Sequence, residues 1–304
     1  MTPALSLSGV TCTFVSRDDR TQRYTAVRDV SLDIAPGEFV SVVGPTGCGK
    51  STLLNVGAGL LEPSSGNVHI FGEPLVGINR RAGYMFQSEA LMPWRTARDN
   101  VLAGLQFRGL AEAEAARLAD DWLQRVGLAG FSDRYPHQLS GGMRKRTSLA
   151  QTLVLDPDII LMDEPFSALD IGLKAQLHRL LLDHQAAHGL AVLMITHDLM
   201  EAVRLADTLL VMAAEPGRIV HRVELNTPAC QRGDAEVYQT TARLLRHPAV
   251  CASFGLETPR TPSAAETGGD SCATAGNGGC AIIPLNGGDD ACTAPTPRKK
   301  GFSC

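Results

Sequence analysis

The chain has 304 residues, is 44% hydrophobic and 20% charged, and carries a net charge of −4. That is ordinary globular composition with ample length for a large core, and its mild acidity gives no sign of a nucleic-acid partner. No uncharged apolar run approaches the roughly 18 residues a bilayer span needs, and Met1–Ser6 lacks the basic-then-apolar layout of a secretory leader. The chain is therefore expected to be soluble and cytoplasmic, with any membrane spans supplied by another subunit.

Along the chain, the apolar run Glu38–Val43 predicts a buried strand. Gly44-Pro45-Thr46-Gly47-Cys48-Gly49-Lys50-Ser51-Thr52 follows at once and fits the phosphate-binding pattern G-x-x-x-x-G-K-[ST]. Its glycines let the backbone curl closely around an anion. The helix expected from Lys50 onward points its first N–H groups at the phosphates. Lys50 is placed to reach the β- and γ-phosphates of a nucleoside triphosphate, and the Ser51 hydroxyl to ligate Mg²⁺. The same lysine and helix end favour the Cys48 thiolate, which predicts a reactive thiol shielded by bound nucleotide.

Residues 89–157 lack strand-like runs, and Leu118, Trp122, Leu123 and Val126 mark one helix face. A helical subdomain inserted into an α/β core is expected there. Within it, Leu139-Ser140-Gly141-Gly142-Met143 leads into Arg144-Lys145-Arg146 and a helical run to Leu155. Ile159–Met162 and Leu190–Ile195 read as strands covered on both faces. Between them, Leu173, Leu177, Leu180 and Leu181 predict a helix that Gly189 ends. Strand, helix, strand of this size is a parallel crossover unit. Asp163 and Glu164 sit at the carboxyl end of the first strand, where ligands bind in such sheets. Asp163 is expected to hold Mg²⁺, and Glu164 to accept a proton from an attacking water. Ile195-Thr196-His197-Asp198 closes the second strand.

In this order and spacing, with Gln87 between the phosphate loop and the Leu-Ser-Gly-Gly element, the chain resembles the ATP-binding cassette (ABC) ATPases over about residues 5–225. The resemblance implies a P-loop NTPase fold: a RecA-like, mostly parallel core sheet with flanking helices, an antiparallel β N-terminal part and the inserted helical subdomain. It implies that His197 contacts the γ-phosphate and orients the water and Glu164. It implies that Gln87 touches Mg²⁺ and the attacking water. Phe14 aligns best with the aromatic that stacks on adenine, with Tyr24 the runner-up. Ser140, Gly141 and Gly142 would complete the ATP site of a second copy, so two chains, or this chain and a close relative, would pack head to tail around two ATP molecules. The fifth signature residue, most often Gln in the family, is Met143 here. A thioether cannot replace an amide's donor and acceptor, which leaves the serine and backbone contacts but not a side-chain polar one.

Gly83–Gln87 with Leu91-Met92-Pro93-Trp94, Asp99-Asn100-Val101 and Met143 look like the nitrate/sulfonate/taurine importer branch, which also handles bicarbonate. The branch implies permease subunits, an extracytoplasmic substrate-binding protein and a place on the cytoplasmic face of the membrane. Ala90–Trp94 is then either core or, as favoured here, an exposed groove for a short permease helix. An exporter ATPase, or an ABC ATPase of DNA repair or translation, is the alternative; the latter typically carry two cassettes, coiled coils or zinc modules.

Residues 226–257 read as a helical appendage, with Val237, Thr241, Leu244 and Leu245 on one face and Asp234 as its cap. Residues 258–304 are rich in Gly, Pro, Ser and Thr and are expected to be disordered. They hold Cys272, Cys280, Cys292 and Cys304, with no C-x-x-C pair to suggest a zinc or redox site.

Overall fold

The carboxyl ends of four neighbouring strands lie side by side, and every catalytic candidate from the sequence follows one of them. The computed structural model describes residues 2–15, 21–167 and 169–256. The chain divides into two units, Met1–Pro259 and Arg260–Cys304. The second unit, and with it the 258–304 segment and its four cysteines, lies outside the described residues.

The larger sheet contains β3 (Phe39–Val43), β6 (Ala82–Met85), β7 (Ile159–Asp163), β8 (Ala191–Thr196), β9 (Thr208–Ala213) and β10 (Arg218–Glu224). Its order is β10-β9-β3-β8-β7-β6, parallel throughout except for the antiparallel β10–β9 pair. The strands β3, β7 and β8 are buried along their whole length, as their continuous apolar runs require. A smaller antiparallel sheet, order β2-β1-β4-β5, is formed by β1 (Leu5–Val15), β2 (Arg23–Ile34), β4 (Ser65–Ile70) and β5 (Glu73–Pro74). The α/β class, the mostly parallel core and the antiparallel N-terminal part are as expected.

The period-2 alternation of strand side chains sorts the two cores. Ile160, Met162, Val192 and Met194 face one cluster, which they share with Trp122, Leu123, Leu149, Leu153 and Leu181. These come from α3 (Glu112–Arg125), α4 (Gly141–Leu153) and α5 (Ile171–His188). Their neighbours Ile159, Leu161, Leu193 and Ile195 face a second cluster with Leu53 and Leu54 of α1 (Lys50–Gly57) and with Leu5, Leu7 and Ile34 of the smaller sheet. Between β6 and β7 the described residues form α2 (Ala97–Phe107), α3 and α4 with no strand among them. The inserted helices thus share a core with the sheet. α5 begins with Asp170 accepting from Leu173 N at 2.9 Å and stops at Gly189, φ 64°, a left-handed cap.

A third cluster joins Val43, Leu209 and Val211 to α6 (Leu199–Leu205), α7 (Asp234–Leu244) and α8 (Pro248–Phe254). Val237, Thr241 and Leu244 are buried as expected, whereas Leu245 is 37% exposed. Asp234 does not cap α7. Gly233 takes the cap position, and the Asp234 carboxylate instead pairs with Arg204 at 2.7 Å. The buried Arg232 donates to the carbonyls of Val203, Ala206 and Thr227, tying the approach to α7 onto the end of α6.

Candidate active site

The register of the larger sheet levels the strand ends. Val43 lies opposite Thr196, Asp163 opposite Ile195 and Met85 opposite Met162. The phosphate loop, His197, the Asp163–Glu164 pair and Gln87 therefore emerge at one edge, from β3, β8, β7 and β6 in that spatial order.

The phosphate loop has the backbone its sequence predicts. Gly47 and Gly49 adopt φ of 82° and 95°, which residues with side chains rarely hold. A Cβ on Gly49 would lie 2.6 Å from Val27 Cγ2, whereas one on Gly47 would meet nothing within 4 Å. Gly49 is thus packed against β2, and Gly47 leaves an open face. A Cβ on Gly44 would overlap the Met212 carbonyl. Gly49 caps α1 without a side-chain hydrogen bond, so the first-turn N–H groups of Lys50, Ser51 and Thr52 have no intrahelical acceptor. A phosphate suits that end. Lys50 is buried within the loop, its Nζ donating to the carbonyls of Gly44 and Pro45, both at 2.8 Å. The Cys48 side chain is also buried, with Sγ 3.8 Å from Lys50 Nζ. Burial pushes its thiol pKa up, against the pull of Lys50. The expected lowering of the Cys48 pKa is thus reversed, because desolvation outweighs the neighbouring charge.

Asp163 is buried beside Ser51 on the wall of one cavity. Burial raises its carboxyl pKa, which Ser51, Lys50 and Lys145 draw back down. Ser51, Gln87 and Asp163 line one cavity of about 450 Å³. Their hydroxyl, amide carbonyl and carboxylate form an all-oxygen donor set of the kind Mg²⁺ takes. Glu164 lies beside them. Its carboxylate accepts from Gln87 Nε2 at 3.2 Å and from His197 Nδ1 at 2.9 Å. Gln87, Glu164 and His197, far apart in sequence, are thus joined around one carboxylate.

Ser140, Gly141 and Gly142 form the start of α4. The Ser140 hydroxyl caps it by accepting from Met143 N at 3.3 Å, and Ser140 and Gly141 are exposed. Among the described residues no hydrogen bond or ion pair joins these three to the phosphate loop. Phe14 and Tyr24 are cross-strand partners in β1 and β2 and stack with centroids 5.5 Å apart. Phe14 is packed against the core, whereas Tyr24 is 58% exposed. In the Ala90–Trp94 stretch, Ala90, Pro93 and Trp94 are exposed and Leu91 and Met92 half-buried.

Two residues hold the site through contacts that the sequence alone does not display. Lys145 is buried on α4, its Nζ donating to the Gln87 carbonyl at 2.6 Å and the Glu164 carbonyl at 3.4 Å. Burial pushes its ammonium pKa down, opposed by the carboxylates of Glu89, Asp163 and Glu164. The available signal was its i, i+4, i+8 spacing with Leu149 and Leu153, which puts it on the inward face of the helix. Asn100 is fully buried. Its Oδ1 accepts from Met92 N at 2.7 Å, and its Nδ2 donates to the carbonyls of Met92, Arg95 and Thr96. It clamps the loop that carries Trp94, which is 74% exposed.

Comparison with known proteins agrees with this geometry. A family model described as ABC transporter matches residues 27–167. The taurine import ATP-binding protein TauB of Yersinia pestis is 46% identical over 201 residues, covering 66% of this chain and 79% of the relative. The protein of that name from Pseudomonas aeruginosa is 46% identical over 212 residues, covering 70% and 81%. A dimeric structure of the ATP-binding cassette MJ0796 in a post-hydrolysis state, bound to ADP and Pi, matches with TM-score 0.67 and 31% identity, covering 73% of this chain and 99% of that one. A second dimeric MJ0796 structure matches with TM-score 0.68. With the phosphate loop, the paired carboxylates and the cassette fold in one chain, the protein belongs to the ABC transporter family and is an ATP-binding cassette ATPase.

Proposed function

We propose that this chain is the ATP-hydrolysing subunit of an importer for a small anion, with taurine and related sulfonates ahead of nitrate and bicarbonate. The observation that carries the hydrolytic reading is the Glu164 carboxylate, held between Gln87 and His197 beside the Ser51–Asp163 pair. The backbone of Gly44–Thr52 and Lys50 Nζ bind the phosphates of ATP. Ser51, Asp163 and Gln87 hold Mg²⁺, which screens phosphate charge when bound. Glu164 takes the proton of the attacking water, and His197 keeps its carboxylate oriented toward that water. The stacked Phe14–Tyr24 pair offers an aromatic surface for adenine.

The Ser140-Gly141-Gly142 turn, exposed at Ser140 and Gly141, serves a second copy, placed head to tail so that each chain completes its partner's ATP site. Support comes from the lack of any bonded link between that turn and its own phosphate loop, and from the dimeric MJ0796 cassettes. The Ala90–Trp94 loop receives a permease, which places the ATPase on the cytoplasmic face of the membrane. An extracytoplasmic binding protein delivers the cargo. The substrate preference follows the taurine import relatives.

The test is uptake of labelled taurine, nitrate and bicarbonate by cells lacking this chain. Wild type should restore taurine uptake, and Glu164→Gln should not. Restoration of no anion by wild type would contradict the importer reading.

A further inference from the structure

A second cluster of ligand-type side chains lies at the opposite end of the sheet from the phosphate loop. His184 and His188 are one turn apart at the end of α5, just before β8. Asp156 lies between α4 and β7. One donor atom from each of the three lies within 4.8 Å of the others. The His184 side chain is only 6% exposed, and its Nε2 is shielded from water with no hydrogen-bond partner. The nearest carboxylate oxygen, Asp156 Oδ1, stands 4.0 Å away, beyond hydrogen-bond reach. A buried ring nitrogen without a partner is destabilising. His188 Nδ1 lies 3.0 Å from the His184 carbonyl. That contact commits Nδ1 to its N–H form and leaves Nε2 with the lone pair, as ring orientation at metal sites commonly requires.

We propose that Asp156, His184 and His188 bind a divalent ion of the zinc class, with water completing the coordination. Two imidazoles and one carboxylate suit Zn²⁺, and tetrahedral bonds of about 2.0–2.1 Å would set the ligand atoms about 3.4 Å apart. The present spacing closes to that by small movements of Asp156 and His188, both exposed, around the fixed His184. A cavity of about 540 Å³ lined by Trp122, Arg125, His184 and His188 gives access. Arg125 lies over the Trp122 ring, 5.0 Å from its centroid, and its charge opposes a bound cation; the Asp156 carboxylate offsets it. Burial, with His188 beside it, holds the His184 pKa down at about 4, so no proton need be displaced from that ring at neutral pH. A bound ion would bridge the segment after α4 to the end of α5.

The Trp122 and His184 rings meet edge to face at 5.1 Å, which supplies a local reporter. The chain has two tryptophans, so Trp94→Phe leaves Trp122 alone. Untagged, metal-stripped, nucleotide-free full-length Trp94→Phe protein is titrated with Co²⁺ and then Zn²⁺, with emission and melting temperature recorded. We expect Co²⁺ to quench Trp122 at one equivalent, Zn²⁺ to reverse the quenching, and Zn²⁺ to raise the melting temperature. Adding His188→Ala, or Asp156→Asn, should weaken the quenching at least tenfold and remove the zinc-induced shift, with the metal-free melting temperature unchanged. Metal held elsewhere, as by the cysteines beyond residue 256, would survive His188→Ala. No quenching in the Trp94→Phe protein, or equal quenching in the double variants, would overturn the proposal.

Discussion

Glu164 holds a left-handed backbone, φ 47°, which a residue with a side chain adopts only where its surroundings fix it. Here they do. Its N–H donates to the Ile195 carbonyl at 2.9 Å, and its carbonyl accepts from Ser167 Oγ at 3.0 Å and from Lys145 Nζ. Because Lys145 also grips the Gln87 carbonyl, it is a positioning residue for two members of the site. Lys145→Met should lower kcat about tenfold, the usual order for a small misplacement, while KM for ATP moves less than about twofold. Steady-state kinetics beside a thermal melt checks this. A parallel fall in melting temperature and ATP affinity would mark Lys145 as structural only. Cys48 carries the reverse lesson, that a charge two residues away does not decide a thiol's state when the thiol is buried. At neutral pH, alkylation mapped by mass spectrometry should modify the exposed Cys230 well before Cys48. Because burial raises the Cys48 pKa, its labelling should climb only at alkaline pH, as thiolate forms. Equal labelling of the two at neutral pH would contradict this.

Among the elements, three of the four site strands, β3, β7 and β8, were legible because strands buried on both faces read as unbroken apolar runs; β6, four residues with alternating burial, offers no such run. The α5 helix was legible from its leucine spacing and its end from Gly189, whereas its Asp170 cap was not. Asp234 was misplaced by one position: Asp is a favoured cap residue, and only the backbone shows that Gly233 before it takes that place. α8 went unread because its seven residues are too few to show a period, and it is held by distant partners such as Leu209 and Val211. Lys145 was passed over because basic residues default to the solvated face. Asn100 was noted only as part of a pattern; its work, saturating the backbone of residues 92–96, needs the loop's shape. Asn100→Ala strands several of those groups, each worth about 1–3 kcal/mol when buried and unpaired. We expect a loss of about 3 kcal/mol in denaturant unfolding and a shift in Trp94 emission, measured with Trp122→Phe to isolate it. Unchanged stability and emission would show that the loop holds its shape without Asn100.

At the scale of the molecule, three apolar clusters among the described residues draw on both sheets and on all eight helices, and the phosphate loop, β7, β8 and Gln87 meet at one edge. Among the described residues the Ser140-Gly141-Gly142 turn at the start of α4 makes no hydrogen bond or ion pair to the phosphate loop of its own chain. The central claim is that a second chain supplies that turn and that ATP holds the pair together until Glu164 acts. The most direct measurement is the mass of Glu164→Gln in solution with and without MgATP, by sedimentation, together with bound nucleotide. The account predicts that the 32.3 kDa chain doubles in mass on adding MgATP, that one ATP is retained per chain, and that turnover falls at least about a hundredfold. A Glu164→Gln protein that binds ATP yet stays at the mass of one chain would contradict it.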